Sequence, residues 1–170
     1  KFFIIQIGTI ILFQSNNLII THVVGNEAVV EYNVVYKYMH ILVMAFNIVA
    51  TPFWSATTDA YVRGDFDWIK TANKKIKQIA ILLSIVGMVM LLCSSWFYKV
   101  WLGDTYVDIP FTTSLLLYCY MVAMMMYGCY GYFVNGFGHL YAQIVITIIL
   151  SVVYPITAVL VGKFLGINGI

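Results

Sequence analysis

Asn33, Lys37, His40, Met44, Asn47, Thr51 and either Ser55 or Thr58 recur at the i, i+4, i+7 offsets that gather side chains on one face of a helix. These residue types do not assemble an acid, base or nucleophile. They offer hydrogen bonds, one fixed positive charge and one imidazole that can change charge near neutral pH, which is the chemistry of a polar, hydrated path. The segment that carries them, 31–58, is long enough to cross a membrane: at 1.5 Å per residue it spans about 40 Å against a hydrocarbon core of about 30 Å. Val34, Val35, Tyr38, Ile41, Leu42, Ala45, Ile48 and Val49 form the other side, suited to lipid or to neighbouring helices. Ionisable groups at bilayer depth are costly and usually face a water-filled cavity or a partner inside a bundle.

The rest of the chain is built to hold such a helix in a membrane. Of its 170 residues 62% are hydrophobic and 9% charged, where a soluble domain carries about a quarter charged. The expected fold is an all-α integral membrane protein with about five transmembrane helices, at 2–24, 31–57, 79–98, 111–134 and 140–161, and a surface amphipathic helix at 65–78. A net charge of +2, with the basic residues in one loop, gives no footprint for nucleic acid. Cys93, Cys119 and Cys129 lie in apolar runs without CxxC spacing or a His partner, and read as buried small hydrophobes. From Lys1 at the start and the break-off after Gly169-Ile170, the expectation is a fragment of a longer protein. The first apolar run outlasts a signal-peptide h-region and has no small-residue cleavage site.

In the first span, Gln14-Ser15-Asn16-Asn17 is a polar cluster near the centre, which must meet either a cavity or the polar groups of other helices. Gly25-Asn26 marks a turn. Pro52 should kink or loosen the last turns of the striped helix. Gly64-Asp65 reads as a turn plus N-cap, with Asp67 in the first turn of the next helix. There Ile69, Ala72, Ile76 and Ile79 repeat on one side and Lys70, Lys74 and Lys77 on the other, the pattern of a helix lying on a membrane surface that then runs into a spanning segment. Trp96, Tyr98 and Trp101 form an aromatic belt at that span's exit. Gly103-Asp104 signals a turn, and Pro110 suits the first helical position of the next span. In that span Gly128 and Gly131 offer close helix approach, and Met121, Met124, Met125 and Met126 suit adaptable packing better than a metal path. Asn135-Gly136-Phe137-Gly138-His139 is a tight connection, and Tyr154-Pro155 interrupts the last span as a kink or hinge. Arg63 and four lysines make 57–78 the cytoplasmic loop. Alternation then puts Lys1 and the 135–139 turn inside, and the Gly25 turn, the 99–110 loop and Lys163 outside.

Catalytic groups do not converge: His22, His40 and His139 fall at different depths, HExxH, GxSxG and P-loop patterns are missing, as is a TVGYG filter, and the DxD spacing of Asp65-Phe66-Asp67 falls on the N-cap and first turn of a helix. The expectation is therefore a non-enzyme without cofactor or metal site, a bundle with a polar interior stripe and broken helices of the kind transporters use.

Several motifs resemble one family. They are Gln14-Ser15-Asn16-Asn17 followed by Gly25 and Tyr32; Pro52-Phe53-Trp54-Ser55-Ala56 leading to Asp59-Ala60, Gly64-Asp65 and Trp68-Ile69; and Asn135-Gly136-Phe137-Gly138. Together they are similar to the polysaccharide exporters and O-antigen flippases of the multidrug/oligosaccharidyl-lipid/polysaccharide superfamily. The resemblance implies that this chain is most of the second lobe of a two-lobed flippase in the bacterial inner membrane. It would move an undecaprenyl-pyrophosphate-linked oligosaccharide outward by alternating access, with a coupling cation in some members. On that reading Lys37 supplies charge to the anionic linker, Gln14, Asn17, Asn33 and Asn47 hydrogen-bond sugar, and His40 adjusts its charge. Asp59 and Arg63 would form a cytoplasmic gate or an ordinary solvated pair, and Pro155 a hinge. Lys37 has the alternative of snorkelling to lipid phosphate at the outer interface. The other functions open are a multidrug or small-molecule exporter of the same fold, and a membrane polymerase or enzyme acting on lipid-linked sugars.

Overall fold

The computed structural model describes residues 2–103, 108–138 and 140–170, and of residues 2, 4, 6, 13, 14 and 142 the backbone alone. Lys1, Asp104 and His139, each part of an expectation above, lie outside the described residues. The described chain is all-α: α1 (Phe2–Val23), α2 (Asn26–Arg63), α3 (Phe66–Leu92), α4 (Ser94–Leu102), α5 (Phe111–Phe137), α6 (Tyr141–Leu165) and a 3₁₀ turn (Gly166–Gly169). Four helices are long and apolar enough to cross a membrane, Asn26–Arg63, Phe66–Leu92, Phe111–Phe137 and Gln143–Gly169, beside the shorter apolar helix Ile7–Val23.

The helix ends follow from local chemistry. Gly25 (φ 124) and Gly64 (φ 73) take left-handed conformations open to glycine at little cost and stop α1 and α2. After Gly64 the Asp65 amide returns to the Ala60 carbonyl at 2.9 Å, and the Asp65 carboxylate accepts from the Trp68 amide at 3.0 Å, capping α3 as its position predicts. Pro52 does not end α2. The helix runs on to Arg63, beyond the expected 57, with the Asp59–Arg63 pair (2.9 Å) bridging its last turn. Pro155 likewise lies inside an unbroken α6, and Pro110 is the N-cap of α5 rather than its first residue.

The surface helix expected at 65–78 and the span expected at 79–98 are one helix. Ile69, Ala72, Ile76, Ala80, Gly87 and Leu91 are buried at steady helical spacing from end to end, and there is no glycine or proline between Phe66 and Val86 to break the ladder. It ends at Leu92, so Trp96, Tyr98 and Trp101 stand on the separate helix α4.

The chain divides into two compact units. In the first, Lys1–Val34 with Leu140–Ile170, α1 and α6 run parallel: Gly8 faces Thr147, Asn16 faces Tyr154, and Val23 faces Gly162. In the second, Val35–His139, α2 and α5 run parallel, Phe46 against Gly128 and Thr57 against Gly136, while α3 is antiparallel to α5, Asn73 bonding the Cys129 carbonyl and Tyr118 the Ser84 carbonyl. Within each unit these directions are those of helices that cross in alternation. The core of the second unit includes Val35, Met39, Leu42, Phe46, Met121, Met125 and Cys129. Cys93 and Cys119 are exposed, contrary to the expected burial: Cys93 is the turn residue between α3 and α4, and Cys119 lies on the face of α5 turned away from that core.

Candidate functional site

Along α2 the side chains divide by face. Val35, Tyr38, Met39, Leu42, Phe46, Ala50, Thr57 and Ala60 are buried, whereas Lys37, Met44, Asn47, Thr51, Ser55 and Thr58 are exposed. The polar stripe therefore lies on the open side of the second unit, but it shares that side with Ile41, Ile48 and Val49, expected opposite it and 53%, 75% and 41% exposed, because of the apolar residues expected there only Val35, Tyr38 and Leu42 are buried in the packed face. His40 is half-buried, its ring stacked on Tyr36 at 5.0 Å between centroids. Lys37 has no ion pair or hydrogen bond among the described residues and is exposed. Its neighbour Tyr38 donates to the Met90 carbonyl at 3.1 Å and packs on Phe97 and Tyr98 at 4.4 and 5.4 Å. Lys37 is thus level with α4, the helix that carries Trp96 and Trp101, at one end of the stripe.

Asn47 lies near the middle. Tyr132 donates to its Oδ1 at 3.1 Å, and the Thr51 hydroxyl donates to the Asn47 carbonyl at 2.6 Å while standing 3.5 Å from the Tyr132 hydroxyl. Tyr132 went unnoticed in the sequence because it belongs to α5, and only the α2–α5 register brings it here. Gly128 sets that register: a Cβ there would come within 2.6 Å of Phe46. Gly131, expected to serve the same purpose, meets only its own helix neighbour Tyr127, at 3.7 Å.

Past Thr51 the stripe opens into a groove of about 710 Å³ lined by Thr51, Trp54, Ser55, Thr58, Asp59 and Val62. Hydroxyls in this stretch turn back on the backbone: Ser55 donates to the Pro52 carbonyl, and Thr58 lies within bonding distance of the Trp54 and Gly136 carbonyls. Asp59 reaches Arg63 at 2.9 Å with both side chains about two-thirds exposed, so the pair is solvated and of small energetic weight.

The other residues expected in the site belong to the first unit. Asn33 donates to Asn17 Oδ1 at 3.1 Å and to the Val29 carbonyl at 2.8 Å. Asn16, buried, lies between two phenols, 2.9 Å from Tyr32 Oη and 2.7 Å from Tyr154 Oη, and Tyr154 Oη is also 3.0 Å from the Ile170 carbonyl. Of the two alternatives for the polar cluster of α1, Asn16 and Asn17 take the bonds between helices. Tyr154, the residue before Pro155, is tied into this network. The backbone of Gln14 is in α1, and its side chain lies outside those described.

The structure thus distributes the residues over two polar stations: Lys37, His40, Asn47 and the groove with Asp59 in one unit, and Asn17 and Asn33 in the other. Compared with family models, curated proteins and solved structures, the chain finds no match.

Proposed function

We propose that this chain is part of a membrane transporter rather than an enzyme, and that the exposed stripe of α2 lines the route of a polar solute. The observation that carries the reading is the combination of length, apolarity and exposure: α2 is long and apolar enough to cross a membrane, yet its open face bears Lys37, Asn47, Thr51, Ser55 and Thr58. Turning that face to hydrocarbon would strip water from the Asn47 amide near mid-span and oblige Lys37 to snorkel from its place at one end, so water, solute or other polar protein is the favoured neighbour. The amide of Asn47 and the hydroxyls of Thr51, Ser55 and Thr58 suit sugar hydroxyls, the exposed Ile41, Met44 and Ile48 beside them suit the apolar faces of sugar rings or a lipid tail, and the single fixed cation at one end suits one anionic group.

The solute class we assign is a lipid-linked oligosaccharide of polysaccharide or O-antigen type, carried on undecaprenyl pyrophosphate. The resemblance of the Gln14–Asn17, Pro52–Asp65 and Asn135–Gly138 motifs to exporters of that class supports it. Under this reading the cell is bacterial, the membrane is its inner membrane, and the Lys37 end of the stripe faces outward, so that Lys37 meets the pyrophosphate late in its passage. Asp59 beside the groove occupies the cytoplasmic end.

Charge at position 37 provides the test. In cells that depend on the intact protein, Lys37→Arg should retain surface polysaccharide, while Lys37→Ala and Lys37→Glu should reduce it at least tenfold with the protein at normal abundance in the membrane. A lysine that only anchors the helix to lipid phosphate would tolerate alanine. Normal polysaccharide from Lys37→Glu would refute contact with an anionic solute.

A further inference from the structure

The lysines of α3 present a second polar surface, unrelated to the stripe of α2. Near the start of α3 each carboxylate is engaged: Asp59 with Arg63, Asp67 with Lys70 at 3.4 Å, and Asp65 with the helix cap. Lys74 and Lys75 have no carboxylate partner among the described residues, and Lys77 Nζ sits 4.6 Å above the ring of the exposed Tyr130 on α5. Three cations therefore crowd one helical turn without an anion to offset them.

Because α3 is a single helix, the face that holds these lysines continues without change of direction into the apolar part. Lys74, Lys77, Ile81, Ile85, Met88 and Leu92 follow one another at three- and four-residue steps. The last four are 52%, 60%, 45% and 73% exposed. Past the Asp67–Lys70 pair of the first turn, one open face is thus cationic from Lys74 to Lys77 and apolar for the next three turns. From Ile81 to Leu92 it runs about 16 Å, close to half of the roughly 30 Å hydrocarbon core. Tyr130, on the neighbouring helix at the height of Lys77, adds an aromatic ring at the level where the face changes character, as aromatic residues do at the border of a membrane.

We propose that this face holds an anionic phospholipid, with the phosphate on Lys74 and Lys77 and an acyl chain along Ile81, Ile85 and Met88. A soluble anion would use the lysines and leave the apolar turns unexplained. An acidic protein segment would have to bury a face whose length and polarity are those of one lipid leaflet. Lysines beside an anionic membrane surface attract such lipids, and the attraction is screened by salt.

The test places a bimane fluorophore on Leu82→Cys, beside the face, in the intact chain with Cys93, Cys119 and Cys129 replaced by serine. The protein is reconstituted in phosphatidylcholine bilayers containing small amounts of doxyl-labelled phosphatidylglycerol or doxyl-labelled phosphatidylcholine. Quenching should require about fivefold less of the glycerol lipid than of the choline lipid. That preference should vanish in K74Q/K77Q, survive in K74R/K77R, and be missing for a fluorophore on Ile148→Cys of α6. Inorganic phosphate should lower it no more than chloride at equal ionic strength. Equal quenching by the two lipids in the unsubstituted protein, an unchanged preference in K74Q/K77Q, or specific displacement by inorganic phosphate would each overturn the proposal. So would a lack of quenching by either lipid, which would show the face covered by protein.

Discussion

At Gly136 the absence of one methyl group decides how close α2 and α5 can come. A Cβ there would lie 2.8 Å from Thr57 Cβ and Cγ2 and 3.1 Å from the Trp54 carbonyl, and a backbone carbonyl within a helix cannot move aside cheaply. We expect Gly136→Ala to destabilise by about 1–3 kcal/mol, the usual cost of overpacking. Gly131→Ala, with nothing nearer than 3.7 Å, should be neutral or stabilising by up to about 1 kcal/mol, since glycine is a poor helix former. Thermal unfolding of the two variants in one detergent separates them, and equal midpoints would show that Gly136 is not a point of close approach. The same pair marks a limit of the sequence. Gly131 was legible as a small residue in a span and Gly136 only as part of a tight connection at 135–139, whereas α5 runs on to Phe137 and carries both; which one meets a partner depends on the register between two helices that a single helical pattern does not contain. Tyr132 on Asn47, and Tyr154 beside Asn16, were hidden for the same reason: each pair is distant in sequence, by 85 and 138 residues, and close only once the helices are packed.

At the scale of elements, hydrophobic runs and turn chemistry marked the helices well. Gly25, Gly64 and Gly138 stand at the ends of α1, α2 and α5, and Asp65 caps the helix that its neighbours announced. What composition obscured was continuity. The change from lysine-rich to apolar near Ile79 looks like a boundary between a surface helix and a span, but composition can change along a helix while its hydrogen-bond ladder does not. Substitution tests the point: Ile79→Pro removes an amide and clashes with the preceding turn in one continuous α3, at a cost of about 3 kcal/mol or more, whereas a joint between two helices would accept it. A large loss of thermal stability is expected. An unfolding midpoint within a degree or two of the original would restore the two-helix description.

Across the whole chain, the alternating directions inside each unit and the four long apolar helices agree with a membrane protein, and both follow from a chain in which fewer than one residue in ten is charged. The polar residues that do occur are placed unevenly, and α2 collects them on its open face. That face as a hydrated route is the central claim, and solvent accessibility in a membrane tests it most directly. In the intact, cysteine-free chain, cysteines at Asn47 and Thr51 are compared with one at Ile85, which is likewise exposed on the protein but lies on the apolar face of α3. In sealed membranes a charged methanethiosulfonate reagent should modify positions 47 and 51 at least about tenfold faster than position 85, because the thiolate forms readily only in water. Equally slow modification at all three positions would mean that the stripe is dry, and would contradict a polar route along α2.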